Sequence, residues 1–352
     1  MFKAKVFSVE EKEWDKLVRK SLYCDIHFLQ GFMKILGKHI GSKPQLYFFG
    51  SKKKYVLYPF FKRKIEINNA DMQEEFYDIV SPWYYGGYLF FGRISQDFLN
   101  QFLKNFSCYC KKEKIVSEFC RFNPYLSYAV VTNGIKLKPQ GVVVGVDLSK
   151  SIQGIFSGFS SSTRREIRNN TKEGVQIICD NNDQMIKKFF NLYADSMRSK
   201  NAKQFYFFSE NFFWGLRDYF KDNFILITGL KKGKVLSSFL FLLENGRMYY
   251  LLSGRATGEK TGPAVKSTIF EAIKIGKEKN ALVLDLGGEY SGGKLLDFKT
   301  HFSKKFFVRM DYRKIHDLET YTTLCTLANI KSGNLKYENA DFFPEYSVNS
   351  FT

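Results

Sequence analysis

The same strand–turn–strand pattern occurs twice in this sequence, about 180 residues apart. The first copy, Gln45–Phe61, consists of two apolar runs joined by a turn that contains three consecutive lysines. The second copy, Leu226–Phe241, again has an apolar run, a basic turn and an apolar run. Since 352 residues are enough for two domains, the repeat indicates two related domains, each built around a β-hairpin.

Helical and strand patterns alternate between and around the two hairpins, which predicts an α/β fold. The domain change is expected after Gly141–Asp147, with domains at residues 1–148 and 149–313 and a C-terminal tail at 314–352. Helices are predicted over residues 10–40 and at Gln96–Glu113, Ser160–Gly174 and Pro263–Lys279, and buried strands at Val116–Phe122, Gly141–Asp147 and Leu282–Leu286.

The chain is strongly basic, with a net charge of +19 and a pI near 9.4. This charge favours an anionic partner such as RNA, phosphates or a membrane surface, although a lysine-rich surface alone would give the same value. No apolar run approaches the ~20 residues that span a bilayer, and the first residues do not resemble a signal peptide. We therefore expect a cytoplasmic protein without a transmembrane segment, and contact with a membrane surface stays open.

The six cysteines and four histidines form no recognisable metal or catalytic motif. Cys108 and Cys110 are separated by one residue, and no histidine lies near them in the sequence. Reduced thiols suit a cytoplasmic protein. The sequence therefore predicts no metal site and no tightly bound cofactor.

A candidate site lies in the stretch Ala281–Phe307, where an apolar run with one acid leads into Gly287-Gly288. Further along, Phe298 and Lys299 follow the end of this strand. Ligands of α/β sheets bind at the carboxyl ends of strands, and paired glycines let a ligand approach the main chain. We therefore predict Lys299, Phe298 and Asp285 as catalytic residues; the alternative is a plain strand, a loop and an exposed lysine.

The segment Phe76–Tyr88 interleaves aromatic residues with proline and two glycines. Its Tyr84 and Tyr85 could stack on a sugar or a base, and the Gly86 amide could meet a phosphate. All three are predicted to bind substrate. The alternative is a hydrophobic plug at a sheet edge.

The helix Ser160–Gly174 carries Arg164 and Arg168 four residues apart, hence on one face. Thr163 and Glu166 fit a capping box at its start. Arginines in this arrangement favour a phosphate or carboxylate ligand, so both are predicted substrate-binding residues. A solvated face, or an internal ion pair with an aspartate, is the alternative.

Two further predicted substrate-binding residues, Arg198 and Tyr206, flank a chain reversal after a second amphipathic helix. The helix that opens at Gly262-Pro263 follows a loop that begins at Arg255. The unpaired amides at such a helix start could bind an anion.

Taken in order, SSTRREIRNNTKEGVQI, the helix ending at Arg198, GPAVKSTIFEAIKIGKEKNALVLDLGG and LLDFKTHF resemble the Fem-type aminoacyltransferases of the GNAT-like acyltransferase superfamily. The loop FYDIVSPWYYGGYLF is similar to that of GNAT-fold proteins found with cell-surface polysaccharide genes. The resemblance covers most of residues 10–310 and implies two tandem GNAT-like domains, each a mixed, mainly antiparallel sheet flanked by helices.

The resemblance also implies a reaction, in which an amine on a cell-envelope precursor attacks an activated acyl group. The donor would be an aminoacyl-tRNA or an acyl-CoA, and the acceptor a nucleotide- or lipid-linked precursor of peptidoglycan or a surface polysaccharide. The family's Phe-Lys pair beside the tRNA terminus matches Phe298 and Lys299, and an arginine that holds the acceptor's phosphates matches Arg198. Lys299 could then stabilise the tetrahedral oxyanion, and Asp285 could orient the amine or accept its proton.

Two other functions stay open on the sequence. The first is an acyl-CoA-dependent N-acetyltransferase acting on a nucleotide-linked amino sugar, although the loop from Arg255 to Lys260 keeps only half of the usual coenzyme A motif. The second is a non-catalytic protein of the same fold that binds RNA or a glycan. A long inserted helical pair, the tRNA-contacting arm of some Fem enzymes, is absent from the sequence pattern.

Overall fold

The computed structural model describes residues 2–67, 72, 74–126, 134–257, 261–289, 293–330 and 332–350. The chain forms two compact units: unit 1 is Met1–Gln140 together with Arg309–Thr352, and unit 2 is Gly141–Val308. The residues after the second unit thus belong to unit 1. The domain limits expected at 148 and 313 stay a prediction.

Helices and strands alternate along the described chain, which confirms the predicted α/β fold class. The helices are α1 (Glu13–Lys20), α2 (Gln30–Ile40), α3 (Gln96–Lys112), α4 (Ile152–Ser157), α5 (Ser161–Lys172), α6 (Asp183–Arg198), α7 (Glu210–Phe220), α8 (Gly262–Glu278), α9 (Lys294–Thr300) and α10 (Leu318–Leu327). The strands are β1 (Lys3–Ser8), β2 (Lys43–Gly50), β3 (Tyr55–Lys64), β4 (Tyr77–Val80), β5 (Leu89–Phe91), β6 (Ile115–Phe122), β7 (Leu137–Asp147), β8 (Val175–Cys179), β9 (Phe224–Lys231), β10 (Lys234–Glu244), β11 (Arg247–Arg255), β12 (Val283–Glu289) and β13 (Phe306–Ile315).

The sheet of unit 1 has the strand order β1-β2-β3-β4-β6-β13, and β5 pairs with β3. The β4–β6 pair is parallel, and α3 makes the crossover between these strands. The other neighbouring pairs, including β6–β13, are antiparallel. Unit 1 is therefore a mixed, mainly antiparallel sheet, as predicted.

Helix α3 is held on this sheet by an aromatic stripe. Phe98, Phe102 and Phe106 recur at helical spacing and are at most 2% exposed. The Phe106 ring meets the rings of Tyr47 and Tyr58, with centroids 4.9 and 5.3 Å away. Burying an aromatic side chain of this size contributes about 1.5–3 kcal/mol, so each ring of the stripe stabilises the packing of α3 on the sheet.

The sheet of unit 2 has the order β7-β12-β11-β10-β9-β8. Its β11–β12 pair is parallel, with α8 as the crossover, and its other pairs are antiparallel. Helix α8 turns Val265, Ile269 and Ile273 into a core shared with Phe239 and Phe241 of β10. This spacing of buried residues is the amphipathic pattern that predicted the helix.

The two units repeat one topology. Both predicted hairpins are present, as β2–β3 in unit 1 and β9–β10 in unit 2, and in each unit an antiparallel strand follows the hairpin and then a parallel one. Sequence self-similarity at a long offset therefore indicated a true structural repeat.

One local prediction is wrong, because the capping box at Thr163 and Glu166 does not form. Helix α5 starts at Ser161, and the Ser160 hydroxyl accepts the Thr163 backbone N–H at 3.3 Å. Thr163 lies inside the helix, and Glu166 pairs instead with Lys266 of α8 at 2.6 Å. At the other end, Gly174 adopts the left-handed conformation expected of a C-terminal cap, with φ +72°.

Among the described residues, no helix is both long and apolar enough to cross a lipid bilayer. All six cysteines lie in described segments, and each is a thiol outside any disulfide. Cys108 and Cys179 are exposed, whereas Cys110, Cys120 and Cys325 are buried.

Candidate functional site

The parallel strands β11 and β12 of unit 2 pair over a short distance only. Arg247, Met248 and Tyr249 face Val283, Leu284 and Asp285. Beyond this point, in the part of the chain that the structure describes, β11 pairs with β10 and β12 pairs with β7. The two strands therefore end their mutual ladder at Tyr249 and Asp285.

Asp285 stands at this branch point and fixes the backbone that follows. Asp285 is only 1% exposed. Its carboxylate accepts a hydrogen bond from the backbone N–H of Gly287. Gly287 has φ +75°, a left-handed conformation that favours glycine. Gly288 passes so close to β7 that a Cβ there would lie 2.1 Å from the Val142 carbonyl oxygen. Both glycines lie within β12 and not in a loop after it, and each is required by its local geometry.

Lys299 reaches this glycine pair from helix α9. Its ammonium donates a hydrogen bond to the Gly288 carbonyl at 3.1 Å, and the residue is only 6% exposed. It also lies 3.2 Å from where a Cβ of Gly287 would stand. The lysine that could have been an ordinary surface residue is thus a buried side chain held on the glycine pair that follows Asp285.

Two further contacts hold α9 in place. The Phe298 ring packs on Phe302, with centroids 5.5 Å apart, and belongs to the same core as α8. The His301 ring nitrogen Nδ1 lies 2.9 Å from the Ser160 hydroxyl, and the Ser160 backbone N–H donates to the His301 carbonyl, also at 2.9 Å. These contacts fix the helix from both sides of Lys299, so the ammonium is positioned in advance of any ligand.

This arrangement holds Lys299 on the glycine pair that directly follows Asp285, and Phe298 precedes Lys299 in α9. A fixed ammonium can stabilise an oxyanion that develops in a transition state, because buried charges act through a low dielectric and need no reorganisation. A carboxylate held nearby can orient an amine or take a proton from it. Asp285 thus ends the β11–β12 ladder and Lys299 is held on the glycines directly after it, whereas the Phe298 ring packs into the core of unit 2.

The end of β11 carries a second group of charged residues. Gly254 lies so close to α6 that a Cβ would come within 2.8 Å of the backbone at Leu192 and Tyr193. This close packing brings Arg255 near Lys200, and burial followed by the charge of Arg255 lowers the pKa of Lys200. Two like charges near one another form a position suited to an anion. Lys200 was not predicted from the sequence, since only its nearness to Arg255 in the fold distinguishes it from other lysines.

The predicted residues Arg198 and Tyr206 lie close to this group in the sequence. Arg198 is exposed and pairs with Asp195 one helical turn away at 2.6 Å. Tyr206 is 39% exposed, and its carbonyl accepts the Tyr193 hydroxyl at 2.7 Å. Both side chains are therefore accessible from solvent, as a role in substrate binding would require.

The predicted basic residues of α5 have partners within the chain. Arg164 donates to the Ser157 carbonyl at 2.9 Å and also to the carbonyl of Phe159. The Arg168 guanidinium lies 5.4 Å from the Phe156 ring centroid. These contacts tie α5 to the end of α4 and to the residue Phe159 that follows it, which is a structural role and not substrate binding.

In unit 1, Tyr84, Tyr85 and Gly86 form a loop that runs along β6. The Gly86 N–H donates to the Arg121 carbonyl at 2.6 Å, and its own carbonyl accepts the Asn123 N–H at 3.0 Å. The loop continues the parallel pairing of β4 with β6. The Gly86 N–H is therefore hydrogen-bonded to β6 and does not point toward a phosphate site. Tyr85 is 2% exposed, and Tyr84 is partly exposed with a left-handed φ of +78°. Such backbone strain is more common at functional sites than elsewhere.

Beneath this loop lies a buried Asp25–His27 pair, whose carboxylate and ring nitrogen are 2.8 Å apart. The His27 ring centroid is 5.2 Å from that of Tyr85 and 6.1 Å from that of Tyr84. Asp25 also accepts the Asn123 side-chain amide at 3.3 Å. The aromatic loop therefore packs on a buried, hydrogen-bonded Asp25–His27 pair in unit 1. Lys299, Arg198 and Arg164, by contrast, belong to unit 2.

Some expected features lie outside the described residues. These include Gly258–Lys260, part of the loop before α8, and Gly292 of the second glycine pair. Within the described segments, no group of three or more His, Cys, Asp or Glu side chains is arranged to hold a metal ion. A surface cavity of about 270 Å³ in unit 2 contains Cys179, Asp180 and Lys279 in its lining and none of the predicted site residues.

No protein-family model matches the sequence, and no curated protein matches it. Solved structures do match in fold. The crystal structure of FemX superposes with a TM-score of 0.70 at 13% identity, covering 91% of this chain and 99% of that one. L-PGS from Bacillus licheniformis has a TM-score of 0.57 at 13% identity, covering 92% and 98% of the two chains.

A third similar structure is the C-terminal domain of a protein from Agrobacterium fabrum assigned as a lysylphosphatidylglycerol synthetase. Its TM-score is 0.57 at 12% identity, with 93% of this chain and 98% of that one covered. At such low identities the likeness concerns the fold, and it extends over nearly the whole length of every chain compared. Together with the repeated topology, it confirms the expectation from the sequence: this chain has a Fem-type, GNAT-like fold.

Proposed function

We propose that this protein is an acyltransferase that joins an activated acyl or aminoacyl group to an amine, and that unit 2 carries the reaction. One observation carries the proposal: the buried Lys299 ammonium is held on the Gly288 carbonyl, three residues after Asp285, where the β11–β12 ladder has ended. The fold shared with FemX supports the same class of reaction.

The chemistry requires positioning more than covalent catalysis. The acceptor amine attacks the carbonyl carbon of an ester or thioester, a C–N bond forms, and the carbonyl oxygen becomes an oxyanion. Lys299 stabilises that oxyanion, and Asp285 accepts the proton that the amine releases. The C–O or C–S bond then breaks, and the alcohol or thiol leaves with a proton. Because the donor is already activated, alignment of the amine and the carbonyl supplies most of the remaining acceleration.

For the donor we propose an aminoacyl-tRNA. A net charge of +19 favours a polyanion, and Lys200 and Arg255 place two cations together at the end of β11. The acceptor is proposed to be the amine of a nucleotide- or lipid-linked precursor of peptidoglycan or a surface polysaccharide, with Arg198 and Tyr206 accessible to bind it.

The second candidate donor is an acyl-CoA, with a nucleotide-linked amino sugar as acceptor. It is favoured by the end of the β11–β12 ladder at Tyr249 and Asp285. Where a strand ladder ends, backbone groups can pair with the amides of an extended ligand, as in strand addition to a sheet edge. The pantetheine arm of coenzyme A carries amides of this kind.

A titration with each donor separates the two candidates. The protein is titrated with total tRNA charged with amino acids, with the same tRNA uncharged, and with acetyl-CoA, each at several salt concentrations. Binding of charged tRNA that weakens steeply with salt supports the aminoacyltransferase. Binding of acetyl-CoA alone supports the acetyltransferase, and binding of neither contradicts both.

Two lysines of α9 provide a matched pair for the catalytic claim. Lys299→Met removes the buried ammonium at nearly constant volume, whereas Lys294→Met changes an exposed lysine of the same helix. We expect donor binding to survive both changes and transfer to fail only in Lys299→Met. A protein that binds RNA but transfers nothing in any variant would instead be a non-catalytic binding protein.

A further inference from the structure

The surface cavity of unit 2 is lined by none of the residues proposed for acyl transfer. It has a volume of about 270 Å³, and its lining combines charged and apolar side chains, which include Asp180, Asp222, Lys279, Phe224 and Ile275. An apolar cavity of about 150 Å³ holds a benzene molecule, so this cavity has room for a small metabolite.

The cavity lies where the β8–β9 ladder ends. That ladder ends at Cys179, whereas β9 extends back to Phe224. Past the ladder, the Asp180 backbone N–H donates to the Leu226 carbonyl at 3.1 Å, and the Asn181 side-chain amide donates to the Phe224 carbonyl at 3.4 Å. These two bonds fix the wall that carries Asp180 to the start of β9.

The apolar part of the lining comes from β9 and from the end of α8. Phe224, Ile225 and Leu226 are at most 2% exposed, and Ile275 packs against the core of unit 2. These side chains belong to the rigid interior of the unit, so the apolar wall exists before any ligand arrives. An apolar group that enters the cavity leaves water for this wall, which favours binding.

Three charged side chains complete the lining. The Asp180 carboxylate accepts the backbone N–H and the side-chain amide of Asn182, at 2.9 and 2.7 Å. Asp222 lies in the turn before β9, and Lys279 directly follows α8; both are exposed. Among the described residues, none of these three side chains forms an ion pair. Their charges are therefore available to a ligand.

The charges around the cavity are mainly negative, although the chain as a whole carries +19. Burial and then the charge of Glu271 raise the pKa of the Cys179 thiol, and Asp180 and Glu278 act in the same direction. Lys279 acts against them. A thiol with a raised pKa is a poor nucleophile, so Cys179 is a passive part of the wall. The excess of acids favours a ligand that carries a positive charge.

We propose that this cavity binds an α-amino acid with an apolar side chain. The ammonium group of the ligand pairs with Asp180 and Asp222, and its carboxylate pairs with Lys279. Its side chain packs on Phe224 and Ile275. A simple amine leaves Lys279 without a partner, and a simple carboxylate meets two aspartates, so a zwitterion complements the lining best. The site does not depend on the proposed acyl transfer.

The first arm of the test uses the unmodified protein, so no variant has to fold. L-Leucine is titrated into it by calorimetry at constant low ionic strength. Isocaproate, which is leucine without its ammonium group, and isoamylamine, which is leucine without its carboxylate, are titrated in the same way. We expect leucine to bind, and each analogue to bind at least tenfold more weakly. No binding of leucine, or equal binding of leucine and either analogue, overturns the proposal.

The second arm locates the site. Asp222→Asn and Lys279→Gln each remove one charge from an exposed side chain of the lining, and each is expected to weaken leucine binding tenfold or more. Lys187→Gln and Glu173→Gln change exposed charged residues of the same unit outside the lining, and leave leucine binding unchanged. In Lys279→Gln the advantage of leucine over isoamylamine should disappear, because the carboxylate has lost its partner. Wild-type affinity in Asp222→Asn or Lys279→Gln, or equal weakening in the two controls, contradicts the site.

Discussion

Replacing Gly287 with alanine tests whether the backbone of β12 positions the Lys299 ammonium. Gly287 has φ +75°, where a side chain costs about 1–2 kcal/mol. An added Cβ would also lie 3.2 Å from Lys299 Nζ, closer than most Cβ contacts, so the ammonium would have to shift. That shift stretches the 3.1 Å bond from Lys299 to the Gly288 carbonyl.

Gly233 provides a matched control within the same unit. It lies in the β9–β10 turn with φ +76°, and a Cβ added there would have no described atom within 4 Å. Gly233→Ala should therefore lower the free energy of unfolding only by the backbone strain, which is about 1–2 kcal/mol. Gly287→Ala should lower the free energy of unfolding by the same strain and by up to about 1.5 kcal/mol more. The additional loss arises because the bond from the Lys299 ammonium is weakened, and a hydrogen bond to a charged group contributes roughly 1.5–3 kcal/mol.

The assay is urea denaturation of both variants, each also made in a Lys299→Ala background. In that background the extra loss at Gly287 should vanish, while the loss at Gly233 should not change. If Gly287→Ala and Gly233→Ala lose equal stability in both backgrounds, the ammonium is not held against Gly287. The inference of a pre-positioned Lys299 would then be wrong.

The remaining predictions concern local contacts of unit 2. Arg164→Met is expected to lower the melting temperature by a few degrees without changing donor affinity, because Arg164 donates to backbone carbonyls; an affinity loss at unchanged stability would show direct ligand binding. Ser160→Ala should lower the free energy of unfolding, measured by urea denaturation, by about 1 kcal/mol, as expected for the loss of an N-cap. An unchanged free energy of unfolding would show that Ser160 is not the cap. Hydrogen bonds from Ser149 and then Lys305 lower the pKa of Asp147 to about 2. Since the folded-state pKa lies below the usual 3.8, this stabilisation is present above about pH 4 and is lost toward pH 2. The stability difference between wild type and Asp147→Asn should therefore narrow over that range, and a constant difference would refute it.

The repeated topology could be predicted because hairpins are local. Two apolar runs joined by a short polar turn determine their own pairing, so Gln45–Phe61 and Leu226–Phe241 indicated strand pairs that are now present as β2–β3 and β9–β10. The amphipathic helices α3 and α8 were predictable for a similar reason, since their buried residues recur every three or four positions.

The start of α5 was less predictable. The run from Ser160 to Thr163 contains four residues that could each act as an N-cap. The spacing of Thr163 and Glu166 satisfied the capping-box pattern, but Glu166 is drawn to Lys266 of a helix about a hundred residues away. A tertiary ion pair thus competes with the local motif, and only the fold determines the outcome.

The sequence located Lys299 but could not show its environment. Burial of its ammonium depends on α9, a short helix that a sequence pattern barely distinguishes from a loop, and on the close approach of Gly288 to β7.

The most direct test of the central claim is single-turnover transfer of a labelled acyl group by wild type, Lys299→Met and Lys294→Met. Each protein is mixed with the donor that it binds and with nucleotide- and lipid-linked amine acceptors, and the labelled product is followed with time. We predict transfer by wild type and Lys294→Met, and a loss of about 10²–10³-fold in Lys299→Met at unchanged donor affinity. Transfer by Lys299→Met at the wild-type rate would contradict the catalytic role of the buried ammonium.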